Sequence, residues 1–284
     1  MRKNPVLENE MKRYTRNMKC AWIILGVNLV LGLFALIAQM GLSGRENYMT
    51  IQCYVLMGYG LFLAICILIP GLAGGAIAGE RERKTLDLLL TTHLSPWKII
   101  LGKLESSLCL IFLISFSTLP VIGLVLIYGG ITLVNLFQLI LNLVITGIFI
   151  GSIGIFYSAI MRKTTVAVIL SYVTVVLLVL GTVGILFGIG YIQQMQGMYQ
   201  EDFTGIRLGG LVYLLYFNPA VTLYGLIGQQ TTNAYGLVRL CGHFGDYSHS
   251  FGVEHMVELS ILVQLCCSVL LLIAAGRHIN PMRK

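Results

Sequence analysis

Charge is scarce in this sequence. Asp, Glu, Lys and Arg make up 11% of its 284 residues, against about 25% in soluble domains, and 57% are hydrophobic. That shortage excludes an ordinary water-facing globule. Glu105 and Glu258 are the only acids in the apolar runs, each near an interface, and the middles hold neutral polar residues such as Asn28, Ser115, Ser117, Asn142, Ser171 and Thr174. Ion-coupled transporters and channels usually keep acids or bases at membrane depth, so an ion gradient is a poor candidate for the driving force. The seven cysteines are odd in number and form no C-x-x-C pair, which argues against a disulfide framework or a zinc knuckle. G-x-S-x-G, H-E-x-x-H and paired intramembrane carboxylates are absent, leaving hydrolase chemistry without residues to carry it. No low-complexity tract or appended soluble domain is visible, and the chain reads as one transmembrane domain over residues 1–284.

What is present is a set of apolar runs of membrane length. A helix needs about 20 apolar residues to cross the bilayer core. Six segments meet this: Cys20–Met40, Ile51–Ala78, Leu101–Tyr128, Ile131–Ile160, Val166–Tyr191 and Val257–Ala275. The first is longer than a signal-peptide core and lacks a cleavage site, so it is expected to stay as a span. The fold class is therefore an all-α integral membrane protein with six transmembrane helices.

Lys and Arg orient these spans. With both termini cytosolic, the inner segments hold six (residues 1–19), five (79–103), two (Arg162, Lys163) and three (277–284). The outer segments hold only Arg45, Arg207 and Arg239. This bias satisfies the positive-inside rule. It also accounts for the +7 net charge without nucleic acid, because the bases are scattered between apolar runs rather than gathered on one face.

The outer segment 192–256 contains a further apolar run, Leu208–Ile227, broken by Asn218-Pro219. Proline lacks a donor and restricts the residue before it, so two short re-entrant helices are expected here rather than a seventh span. Cys241, His243, Asp246, His249 and His255 crowd the following loop, in no zinc spacing. A solvated polar loop is the expected reading, with no metal bound. Glu254 and Glu258 read as a wetted helix end at the mouth of the last span.

Two cytosolic devices remain. In residues 1–19, Leu7, Met11, Tyr14 and Met18 share a helix face, with a rim of Lys and Arg. That is the pattern of an amphipathic helix lying in the membrane plane. In the loop 79–98, Glu80-Arg81-Glu82-Arg83-Lys84 precedes a leucine-rich turn. Thr85 is placed to cap a short helix in which Leu86, Leu89, Leu90 and His93 share a face. Ser95-Pro96 then starts the next helix, Trp97 reads as an interfacial aromatic, and Lys98 and Lys103 as snorkelling bases. Gly74-Gly75-Ala76-Ile77-Ala78-Gly79 mimics a phosphate loop but lacks the following Lys-Ser/Thr. It reads as a small-residue packing surface, as do Gly147, Gly151 and Gly154 and Gly181, Gly184 and Gly188.

The string AGERERKTLDLLLTTHLSPWKIILGKL, preceded by NPVLENEMKRYTR, resembles the membrane subunit of an ABC-type exporter of the type-two permease superfamily. The resemblance implies that residues 1–19 form an elbow helix and that 79–98 carries a coupling helix seated in a separate ATPase subunit. Glu80, Arg81, Arg83, Thr85, Leu86, Leu89 and Leu90 would then be the ATPase contacts. ATP and Mg would bind that partner, and two permease copies, or one with a related permease, would pair in the plasma membrane. A membrane scaffold, sensor or immunity protein that does not transport is the alternative.

Overall fold

The computed structural model describes residues 18–40, 46–85, 96–127, 131–197, 209–231, 240–241 and 251–279, and all the elements among them are helices. In chain order these are α1 (Met18–Met40), α2 (Glu46–Gly75), the short α3 (Ala78–Glu82), α4 (Pro96–Ile127) and α5 (Leu133–Ile160). There follow α6 (Thr164–Val176), a π-turn (Leu177–Gly181) and α7 (Thr182–Gly197). A 3-10 helix (Gly209–Phe217), α8 (Pro219–Thr231), the single turn α9 (Phe251–Glu254) and α10 (Met256–Ile279) complete the chain. Among the described residues, five helices are long and apolar enough to cross a membrane, or six if the 3-10 helix and α8 count as one broken span. Before them stands α1, with its apolar stretch Ala21–Leu33.

Local chemistry sets the helix ends. α4 begins at Pro96, where a fixed φ and a missing donor do no harm. α5 is capped by Thr132, whose hydroxyl accepts from the Asn135 N–H at 3.3 Å. The 3-10 helix and α8 meet at a bend of 92°, at the Asn218-Pro219 step where the sequence predicts a break. Pro70 lies inside α2 and cannot donate to the turn before it. Its missing N–H leaves the Cys66 carbonyl without its helical donor, and the Tyr172 hydroxyl donates to the next carbonyl, that of Ile67.

The described residues fall into two compact units, Met1–Thr174 with Leu265–Lys284, and Val175–Gln264. In the first, α2 and α5 approach backbone to backbone. A Cβ added to Gly154 would lie 2.7 Å from the Ala73 Cβ and 3.0 Å from the Gly74 nitrogen. One added to Gly74 would lie 3.1 Å from the Val168 Cα. The glycine run before Glu80 is thus a packing surface, as its sequence suggests. By contrast, a Cβ at Gly184 or Gly188 would meet nothing within 4 Å. Neutral polar groups join helices: Asn28 donates to the Ser117 hydroxyl at 2.7 Å, and Thr174 to the Tyr157 oxygen at 2.9 Å. The second unit has its own apolar cluster, with Leu186, Val212, Leu215, Val221, Val253 and Met256 among its buried members.

Candidate functional site: the junction behind the first polar loop

After Gly75 the chain leaves α2, turns through Ala76 and Ile77, and forms one helical turn, α3. The N-terminus of so short a helix exposes donors that its own residues cannot satisfy. Ser158 of α5 supplies the acceptor: its Oγ takes the N–H groups of Ile77 and Ala78, both at 2.8 Å. α3 ends with Lys84 at φ 58°. The Lys84 N–H reaches the Arg81 carbonyl at 3.0 Å and the Thr85 N–H reaches that of Glu80 at 3.0 Å. This pair of bonds is a Schellman ending, with lysine where glycine is usual.

The charged residues of α3 hold the neighbouring helix ends. The Arg81 guanidinium donates to the carbonyls of Ala159 at 2.9 Å and Met161 at 3.1 Å, and at 3.5 Å to that of Ile160. It thereby caps the end of α5, where unpaired carbonyls and the helix dipole favour a cation. Glu80 accepts from Lys103 of α4 at 3.2 Å and from the Thr85 hydroxyl. Glu82 accepts from the Thr164 hydroxyl at the start of α6. One turn of helix is therefore bonded to α4, α5 and α6 while it continues from α2. Trp97 adds a fifth helix: its ring lies where a Cβ on Gly276 of α10 would meet it at 3.3 Å.

Lys103 corrects an expectation. It does not snorkel: only 6% of the residue is exposed, because Glu80 lies within reach and pairing satisfies the charge where it stands. Lys98 is exposed and Trp97 is partly so. Of the expected partner contacts, Glu80, Arg81 and Thr85 have side chains bonded within the chain, and Arg83 is exposed. Leu86, Leu89, Leu90 and His93 lie outside the described residues, as do Leu7, Met11 and Tyr14. Met18 opens α1 and is exposed. Sequence reasoning missed Ser158 and Thr164 altogether. The signal available for Lys103 was an acid and a base at facing ends of consecutive spans.

The outer polar cluster is only partly described. Cys241 lies buried in the apolar cluster of the second unit, and burial pushes its thiol up to about 11. A thiol held protonated is a poor metal ligand. His255 approaches Glu258 at 4.0 Å, with both side chains largely exposed. His243, Asp246 and His249 lie outside the described residues, and no group of three or more His, Cys, Asp or Glu suited to a metal occurs among those described.

Compared with known families, residues 6–276 match the family model described as ABC-2 family transporter protein. No curated protein matches the chain.

Proposed function

Because the chain belongs to the ABC-2 transporter family, whose model covers nearly all of it, we propose that it is the permease subunit of an ATP-driven exporter. The family places it as a multi-pass membrane protein of transport. In the proposal, a separate ABC-type ATPase docks on the loop 79–98 and hydrolyses ATP, with its Mg, on the partner's own residues. Glu80, which Thr85 holds, and Arg81 transmit its motion through their bonds to α4 and α5, while Arg83, Leu86, Leu89 and Leu90 meet the ATPase surface. Residues 1–19 form the elbow helix.

The observation that carries this reading is the bonding of α3 to the ends of several spans at once. A push on the loop cannot move one helix alone. A device of that kind biases two arrangements of a bundle, as a partner with different contacts in each state requires. An amphipathic or hydrophobic substrate fits a pathway without ionisable groups at depth. Two copies would pair, and the open glycine face of Gly184 and Gly188 suits close helix contact.

Geometry also supports the re-entrant reading of 209–231. Arg81 ties the end of α5 to the loop after α2, and Trp97 ties the end of α10 to the start of α4. These ends therefore share one side, the cytosolic side by the count of Lys and Arg. With the last span ending on that side, the same count of Lys and Arg favours two re-entrant helices in 209–231 over a seventh span.

The test is purification of the tagged chain in mild detergent, with identification of what comes with it, for the natural sequence and for Leu89→Asp and Leu90→Asp. An ATPase that accompanies the natural chain and is lost from both variants supports docking on the loop. Retention by the variants refutes the docking site. Purification without any ATPase refutes the permease reading in favour of a scaffold.

A further inference from the structure

Within the second unit, the π-turn Leu177–Gly181 and the bend at Asn218 are joined by a single side chain. Asn218 is fully buried, and both ends of its carboxamide are occupied. Its Oδ1 accepts from the N–H groups of Ala220 at 2.9 Å and Val221 at 3.3 Å, which starts α8. Its Nδ2 donates to the Val179 carbonyl at 2.9 Å and to the Thr182 hydroxyl at 2.7 Å. Thr182 in turn donates to the Leu178 carbonyl at 2.7 Å.

Capping alone does not call for asparagine. Serine, threonine and aspartate also offer the acceptor that a helix start needs. Only the carboxamide adds a donor pair without charge, and that pair goes to the π-turn. A π-turn carries one residue more than an α-turn and disturbs the carbonyl pairing of the ladder, which at membrane depth requires donors from elsewhere. Consecutive carbonyls of this turn, Leu178 and Val179, receive side-chain donors, one from Thr182 and one from Asn218 itself. The hairpin has separate anchors. Gln264 donates to the Thr222 hydroxyl at 2.9 Å, and the Tyr216 hydroxyl to the Gly252 carbonyl at 2.8 Å. Losing the Asn218 donors therefore leaves α8 held in place.

We infer that Asn218 is a positioning residue that selects the π register of the span, so that the span carries a second, purely α register entered when the clamp lets go. Successive residues of an α-helix are about 100° apart and rise 1.5 Å. Absorbing the extra residue turns everything beyond Gly181 by about that angle. Leu186 and Gly190, now buried, would turn outward, and the preceding residues Ile185 and Ile189 would take their places. Ile185 is 53% exposed at present, so the exchange is large enough to read. The consequence for a transport pathway rests on the permease reading, but the register selection itself does not.

The experiment places single tryptophans at positions 183–192 of the full chain in lipid nanodiscs. Quenching by acyl-brominated phosphatidylcholine is read against the same chain without the added tryptophan. In the natural background the quenching minima fall at 186 and 190. Asn218→Ser keeps a cap but cannot span to Val179, and its minima are expected to shift by one position, to 185 and 189, about 100° of helix. Thr182→Val keeps the Val179 bond and is expected to give minima of both registers. Minima that stay at 186 and 190 in Asn218→Ser overturn the inference. Should that variant not yield a monodisperse protein, an unshifted pattern in Thr182→Val overturns it equally. A shifted pattern in a chain that copurifies with no ATPase upholds the register switch while removing its transport role.

Discussion

At the end of α2 the chain breaks its helix, and the loose groups are met by a serine, an arginine and an ion pair. At Asn218-Pro219 it breaks again, and the loose groups are met by one neutral carboxamide. Both repairs work by the same rule, that a backbone group cut off from water needs a partner. They differ because of depth and exposure. Glu80 keeps about a fifth of its side chain exposed, so charge can persist beside α3. Asn218 is wholly enclosed, where an ionised side chain would be strongly disfavoured. Charged repairs bind hard and tolerate water, whereas a neutral repair can be made and unmade without moving a charge.

The largest expected effect strikes the charged repair. Lys103→Met leaves the largely enclosed Glu80 without its cation and should lower stability by about 3 kcal/mol, read as thermal unfolding in detergent. Adding Glu80→Gln should recover more than half of that loss, and a double variant no better than the single one would show the pair to be idle. Next, Gly154→Val forces a branched side chain against Ala73 and Gly74, for a loss of about 2 kcal/mol in the same assay. Arg81→Lys keeps the charge but gives up the fork that reaches three carbonyls, and should lose about 1 kcal/mol. The smallest effect has the opposite sign. Lys84→Gly relieves the left-handed backbone and should gain about 0.5–1 kcal/mol. Raising salt should narrow the gap between Lys103→Met and the natural chain while leaving Gly154→Val unchanged, which separates charge from packing.

Helix positions and breaks were legible from the residues: the start at Pro96, the step at Asn218-Pro219 and the close packing of the glycine run all appear where sequence places them. The partners of those breaks were not legible. Ser158 lies 80 residues from the amide of Ala78 that it caps, and Asn218 lies 39 from Val179. Periodicity reports which residues share a face of their own helix, but not which distant helix that face meets. Lys103 shows the limit most directly, since its place one turn inside a span suits a headgroup as well as an acid 23 residues earlier. The leucines 86, 89 and 90 and the stripe Leu7, Met11 and Tyr14 lie outside the described residues, so these patterns rest on sequence and family.

Arg81 carries a consequence for anyone who would invert this chain in the membrane by moving charges. Such engineering treats every arginine near a span as an equal vote for the side it faces. Arg81 is occupied with the last carbonyls of α5, so reversing its sign would unravel a helix end before it altered insertion. Arg83 is exposed and its side chain caps no helix end, so its reversal would bear on sidedness and on the proposed docking surface while leaving the end of α5 intact.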